Sequence, residues 1–325
     1  MKRNAELEIR NHPQFRRALL RWYDQNRRDL PWRKTRDPYR VWVSEVMLQQ
    51  TRVAAVIAKY ERFLKKFPSV QRLSSAREAS VLAEWSGLGY YRRARNLRVA
   101  AKIVAREGKF PRSAEGWRVL PGIGRYTAAA IASIALDKPV AVLDGNVARV
   151  LRRLLGLPIT SAAAWRVAQV LLDHARPGDF NQAMMELGAT ICLPGQPLCT
   201  RCPIRAFCCT RGRDQSSRHK PRQRKSSIAY ELAVSAGFVR MVRRSRNASL
   251  MPGMWELPQC ADAINEGQLL FRLNHSITNT DYRVGVIKRA GKSSDDGTWV
   301  RLSGVPRLAL TGLARKILCK AGIIR

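Results

Sequence analysis

The chain has 325 residues, with 59 Lys and Arg against 24 Asp and Glu for a net charge of +35, an excess that makes a polyanion, nucleic acid first of all, the expected partner. A hydrophobic content of 46% excludes a disordered chain, and the length allows two domains, each with its own core. No apolar run is long enough to span a bilayer, the basic residues are spread along the chain instead of lining one amphipathic helix, and the opening MKRNAELEIRNH has no apolar leader; together these predict a soluble cytoplasmic protein with no membrane partner.

In chain order, Asp37-Pro38 joins an N-cap acid to a proline at the first helical position, and apolar spacing carries that helix through VWVSEVMLQQ. Glu45 is the lone acid of this run. A carboxylate on the buried side of a helix is costly unless paired or protonated, and pairing with Arg40 or Arg52 at the rim is the plain structural account. Further helices are predicted at 51–67, 75–86, 90–107, 125–136, 145–155, 161–175 and 180–191, with Thr51, Ser69 and Ser75 as N-cap candidates and Gly87 and Gly108 as stops. Residues 12–191 therefore read as all-α.

Two turns in this half invite a chemical reading. In LPGIGRYTAAA, residues 120–130, Gly122 and Gly124 lie between two helices and permit a tight turn with free N–H groups at the next helix start, beside Arg125. That geometry binds a phosphate without reading sequence, although glycines serving packing alone would look the same. In AVLDGNVARVLRR, Asp144 opens a helix, where an N-cap needs no further role.

Five of the seven cysteines fall in CLPGQPLCTRCPIRAFCC, residues 192–209. Cys192, Cys199, Cys202 and Cys208 are brought together by Pro/Gly turns, and four such thiolates hold zinc or an iron–sulfur cluster. A zinc ribbon uses two separated C-x2-C knuckles, and only one such pair is present. The stretch RGRDQSSRHKPRQRK at 211–225 holds seven Lys or Arg and no aliphatic residue, the composition of a basic linker near phosphates. Beyond it, IAYELAVSAGFVRMV, YRVGVIK and GTWVRL read as strands, and a last helix follows Thr311, giving a small α+β domain.

The cysteine spacing resembles the [4Fe–4S] loop of the endonuclease III superfamily of DNA glycosylases, and LPGIG resembles its helix-hairpin-helix. WVSEVMLQQTRV with GLGYYRRARNL at 87–97 is similar to the adenine DNA glycosylases of the MutY family, a likeness running from LPWR at 30–33 to WVRLSGVPRLAL near the end. This resemblance implies an all-α helix-hairpin-helix DNA glycosylase domain with a [4Fe–4S] loop at 1–210, a basic linker at 211–227 and a smaller α+β Nudix-like domain at 228–325. It also implies a monomer that excises adenine from A:8-oxoguanine and A:G mismatches in duplex DNA during base excision repair, near the nucleoid in a bacterium. Glu45 is then the general acid and activator of water, and Asp144 the stabiliser of the sugar cation, with Tyr126 and Asn146 in support. Members that cut the strand carry Lys where this chain has Tyr126, and a phenol forms no Schiff base, so a monofunctional enzyme is expected.

By the same resemblance Gln49, Gln50 and an aromatic from the pair Tyr90-Tyr91 fill the duplex once the base is flipped, although two adjacent tyrosines equally suit a core. The segment MPGMWELP at 251–258 resembles a Nudix fold, but QCADAINEGQLLFRL after it lacks the Glu-rich helix of a working hydrolase. A lesion-reading Phe-Ser-His of the family is replaced by Ile277-Thr278-Asn279, which leaves Thr278 and Asn279 as the expected contacts. A mismatch thymine glycosylase and a non-catalytic damage-binding protein are the competing readings. The first lacks a Nudix-like domain, and the second has no use for both acids.

Overall fold

The computed structural model of the chain describes residues 12–212, 224–260, 267, 269–277, 279–289 and 297–324. Its contacts divide into two compact units, one of Met1–Leu64, Ser69–Gln71 and Val99–Arg218, the other of Lys65–Pro68, Arg72–Arg98 and His219–Arg325. The helices are α1 (His12–Asn26), α2 (Pro38–Leu48), α3 (Val53–Lys66), α4 (Val70–Ser75), α5 (Glu78–Trp85), α6 (Arg92–Glu107), α7 (Ala114–Arg118), α8 (Arg125–Leu136), α9 (Gly145–Leu155), α10 (Ser161–Leu171), α11 (Pro177–Thr190) and α12 (Gly312–Lys320).

In the first unit, α2 starts as its sequence dictates. Asp37 accepts from the Arg40 amide at 2.8 Å, and Pro38 needs no donor partner. The alanine-rich α8 is buried along most of its length. Its small side chains allow close approach of its neighbours: a Cβ on Gly178, in the first turn of α11, would lie 2.7 Å from the Ser133 carbonyl oxygen. Trp42 of α2 and Trp117 of α7 are fully buried and meet edge to face at 5.4 Å, a geometry worth about 0.5–1.5 kcal/mol beyond area burial. α8 and α9 begin and end where the sequence predicts. The helix expected over 161–175 stops at Leu171, because Asp173 accepts from the amides of Ala175 and Arg176 and closes a turn there. α11 then begins at Pro177, three residues ahead of the expected start. The helix expected over 75–86 is the shorter α5, and Ser75, expected as its N-cap, instead ends the separate α4, while Arg77 precedes α5 without a side-chain cap.

The second unit contains two sheets. Strands β1 (Arg224–Leu232), β2 (Val234–Ser235), β3 (Phe238–Arg243), β4 (Trp255–Glu256), β5 (Gln259–Cys260), β6 (Leu269–Ile277), β7 (Thr280–Lys288) and β8 (Thr298–Arg301) arrange as β5-β1-β7-β6 and as β2-β3-β4 with β8 on β3. β1 and β7 pair in parallel from Arg224↔Thr280 onward. Residues 224–227, expected in the linker, are therefore strand, while 213–223 lie outside the described residues. β6, which no alternation announced, pairs antiparallel with β7. A core around Tyr230, Met241, Val284, Val286, Leu310 and Ile317 holds these layers together. Residues 72–98 belong to this unit, whereas a boundary at 210 would assign them to the helical half. The Ser86 and Tyr91 hydroxyls both donate to the Leu310 carbonyl oxygen at 3.1 Å, and Arg315 Nε donates to Ser86 Oγ at 2.9 Å.

Candidate active site

Glu45, Gln49, Gln50, Tyr126, Asp144 and Asn146 line one cavity of about 680 Å³ in the helical unit, within the size range of small-molecule sites. α2 delivers Glu45 to its wall, α8 delivers Tyr126, and the first turn of α9 delivers Asp144 and Asn146. The rim arginines do not neutralise Glu45. Its side chain is 5% exposed, and Oε2 is buried with no hydrogen-bond partner. Burial pushes its carboxyl up to about 7; the neighbouring Tyr126 hydroxyl opposes that rise, the Asp144 charge adds to it, and Arg33 opposes it. Tyr126 is raised further from its ordinary range by burial and by the two carboxylates, so it remains a neutral donor, and its hydroxyl donates to Met185 Sδ at 3.1 Å.

Asp144 is held differently. Its Oδ1 accepts from the Val147 amide at 2.7 Å and its Oδ2 from Asn146 Nδ2 at 3.0 Å, so it caps the start of α9. Asn146 in turn accepts from Arg149 Nη2 at 2.9 Å. The buried Arg149 continues to the carbonyl oxygens of Gly188 at 2.6 Å and Cys192 at 2.8 Å. The position of Asp144 is thus tied through α9 to the start of the cysteine loop.

Several residues of this cavity were not singled out in the sequence. Glu186 of α11 is 1% exposed and accepts from Arg28 Nε, Nη2 and backbone amide and from Arg33 Nη2, all within 3.1 Å. Burial alone would raise its carboxyl, but the two guanidiniums win and hold it at about 2. A Cβ on Gly188 would sit 2.6 Å from Asn146 Cβ, so only glycine lets α11 pass the turn that carries Asp144. The local hint was a glycine inside an otherwise helical run, ELGATIC.

The remaining expected residues divide between the units. Gln49 Nε2 donates to Thr127 Oγ1 at 2.9 Å, and Gln50 is exposed with φ +53°, at the end of α2. Gly122 (φ +79°) and Gly124 form the exposed turn before α8, where Gly124 is the N-cap and has no side chain to occupy the free amides. The Arg125 guanidinium stacks over Trp165 at 4.0 Å. In the second unit, Tyr90 is 51% exposed with φ +47°, whereas Tyr91 is 4% exposed and spends its hydroxyl on Leu310. Of that pair only Tyr90 is free to meet a ligand, and Tyr91 is a packing residue. Asn279 is exposed in the turn between β6 and β7; Thr278 lies outside the described residues.

Cys192, Cys199, Cys202 and Cys208 line a second, small cavity beside Arg153 and Arg205, while Cys209 is exposed. Arg153, buried on α9, donates to the Leu193 carbonyl oxygen at 2.7 Å and to Cys192 Sγ at 3.4 Å. Burial pushes the Cys202 thiol up to about 11, with the other three sulfurs contributing. Among the described residues no group of three or more His, Cys, Asp or Glu side chains is arranged to hold one metal ion.

Comparison with known proteins gives one family model, the HhH-GPD superfamily of base excision DNA repair proteins, matching residues 43–166. The adenine DNA glycosylase of Rattus norvegicus is 54% identical over 211 residues, covering 60% of this chain and 41% of the relative. That of Homo sapiens is 51% identical over 216 residues, covering 61% and 40%. The chain thus spans about two fifths of the length of these relatives. Among solved structures, a thermostable thymine-DNA glycosylase superposes with a TM-score of 0.58 at 30% identity, covering 62% of this chain and 97% of the other.

Proposed function

Because the chain belongs to the helix-hairpin-helix superfamily of base excision DNA repair proteins, in its adenine DNA glycosylase (MutY) branch, we propose that it hydrolyses the N-glycosidic bond of adenine opposite 8-oxoguanine or guanine in duplex DNA and leaves the strand intact. The observation that carries this reading is the contrast between two carboxylates on one cavity wall, Glu45 buried with its carboxyl pushed up to about 7, Asp144 at a helix start and hydrogen-bonded by a backbone amide and by the Asn146 side chain. Such a pair divides acid and charge-stabilising work, as in glycoside hydrolysis.

The base is unreachable inside a duplex and must be flipped out. In the cavity Glu45 donates its proton to N7 of adenine, the C1′–N9 bond breaks with its electron pair going to the base, and the Asp144 carboxylate faces the positive charge left on the sugar. Water then adds to C1′, and its proton goes to the Glu45 carboxylate, which restores the acid. The Glu186 carboxylate, fixed by Arg28 and Arg33, gives the cavity a rigid polar wall against which the base is oriented. Tyr126 has no amine to attack the sugar, which supports a monofunctional enzyme. Single-turnover assays on duplexes carrying A:8-oxoguanine, A:G or T:G, with and without alkali, test the reading. Adenine release followed by alkali-dependent strand scission is expected. Excision of thymine, binding with no excision, or scission without alkali would overturn it.

We assign Cys192, Cys199, Cys202 and Cys208 to one [4Fe–4S] cluster. The four thiols line one small cavity, and their spacing, with a single C-x2-C pair at 199 and 202, suits a group that gives each thiolate its own iron better than the two separated C-x2-C knuckles of a zinc ribbon. When bound, the cluster supplies rigidity to the loop that Arg149 and Arg153 tie to α9. Anaerobically purified protein should contain about four iron and four sulfide per chain; stoichiometric zinc without iron would refute the assignment.

A further inference from the structure

A second large cavity, of about 600 Å³, lies within the other unit and has no part in the chemistry above. Its walls come from α5 and α6, from the turn after β3, and from the chain around β4 and residues 307–309. Four arginines reach it, Arg95, Arg243, Arg246 and Arg307, against one acid, Glu78. Arg95 uses Glu78 at 2.9 Å and also donates to the Pro252 carbonyl oxygen. Arg243 donates through Nε to the Gly253 carbonyl oxygen at 3.1 Å, which fixes the direction of its guanidinium and leaves the other nitrogens free. Among the described residues Arg243, Arg246 and Arg307 have no carboxylate partner. Trp255 and Leu308, both partly exposed, and the buried Leu82 supply an apolar side to the same space.

Uncompensated guanidiniums gathered around a concave, partly apolar wall repel one another, and an anion relieves that repulsion. Planar donors in a fork match phosphate oxygens, while an indole face suits a base or sugar. We propose that this cavity is a phosphate-binding site for a nucleotide unit, with Arg243, Arg246 and Arg307 on the phosphate and Trp255 beside the nucleoside. The chemistry is common to two sources, a free nucleotide and a phosphate of the DNA strand, and the experiment separates them.

The full chain is titrated with dGMP, pyrophosphate and deoxyguanosine by calorimetry. The two phosphate compounds should bind saturably, and the nucleoside about tenfold or more weaker, since it lacks the charge-assisted bonds. Arg307→Gln and Arg246→Gln, both at exposed positions, should each weaken dGMP binding, and Trp255→Phe should weaken dGMP more than pyrophosphate. Unchanged melting curves would show that the variants fold, and Arg246→Gln serves as the decisive variant because its side chain holds no other part of the described structure. If the site takes a strand phosphate, dGMP will compete with duplex DNA, and the slope of log affinity against log salt will fall by about one for each contact removed. If it takes a free nucleotide, dGMP and duplex will bind together and the salt slope will not move. The proposal is overturned if the arginine variants alter neither dGMP binding nor the salt dependence of duplex binding. Adenine excision by these variants is read in parallel, so failure here is distinct from failure of the glycosylase reading.

Discussion

The Glu45 carboxyl is pushed up to about 7 because α2 carries it into a buried wall where Oε2 has no hydrogen-bond partner, and the charge of Arg33 does not offset that burial. A group whose folded carboxyl lies above its unfolded value of 4.5 costs nothing below that value, where both states carry the proton. As pH rises from 4.5 toward about 7 the unfolded chain releases its proton first, so folding stability is lost across that window and stays lost above it. Glu45→Gln should therefore abolish adenine excision and yet stabilise the fold at pH 8 relative to wild type by on the order of 1–3 kcal/mol, read as a higher melting temperature, with the gain vanishing at pH 4.5. Excision by the wild-type enzyme should decline as pH passes about 7 and the acid loses its proton. Melting curves and single-turnover rates across pH check both. Glu186 has the opposite sign. Its carboxyl at about 2 contributes stability that is present above 4.5 and lost progressively as pH falls from 4.5 through about 2, so it takes no part in the neutral window and does not mask the Glu45 effect.

At the scale of elements the site depends on how closely α11 passes the turn before α9. Gly188→Ala would place a methyl 2.6 Å from Asn146 Cβ and 3.2 Å from its backbone, so either α11 or the Asp144–Asn146 turn must move. The expected result is a destabilisation of about 1–3 kcal/mol together with a fall in the excision rate larger than the fall in DNA affinity, because the displaced group is the proposed charge stabiliser and not the turn proposed to bind phosphate. Thermal melting and the separation of rate from affinity check it; normal excision would mean that the turn tolerates the shift. This contact also marks the limit of what local sequence carries. α8 and α9 were legible to the residue because glycine, Asp144 and Gly156 punctuate them. The cavity wall that holds Glu45, Tyr126 and Asp144 was legible through motifs. The Arg28–Glu186–Arg33 cluster was not, since its partners are 153 and more residues apart and a buried carboxylate looks in sequence like any helical glutamate. The end of α10 was missed for a smaller reason, the Asp173 turn, which competes with helical hydrogen bonds without any glycine or proline at that point.

At the scale of the molecule, the compact unit that holds the two sheets also holds residues 72–98, and this changes what removing the carboxy-terminal part should do. The family resemblance suggests that a chain ending before residue 228 keeps its catalytic machinery and loses mainly the discrimination between A:8-oxoguanine and A:G, since specificity is a difference between affinities. The structure predicts a broader loss. Ser86 is 0% and Tyr91 4% exposed, and both hydroxyls are spent on the Leu310 carbonyl oxygen; Arg95 loses its bond to Pro252, and Ser86 its donor Arg315. Each large side chain bared to water forfeits roughly 1.5–3 kcal/mol, in a segment that leads directly into α6 and carries Tyr90. A protein of residues 1–227 should accordingly melt lower and excise adenine more slowly from A:8-oxoguanine and A:G alike. Asn279→Ala in the full chain provides the contrast. It removes an exposed turn side chain without touching that packing, so it should leave the melting temperature and A:G excision unchanged and reduce only the preference for 8-oxoguanine. Melting curves and single-turnover rates on the two duplexes decide the matter. A truncated protein with wild-type stability and A:G rate would mean that 72–98 folds against the helices without the sheets, and the packing at Leu310 would then be incidental to catalysis.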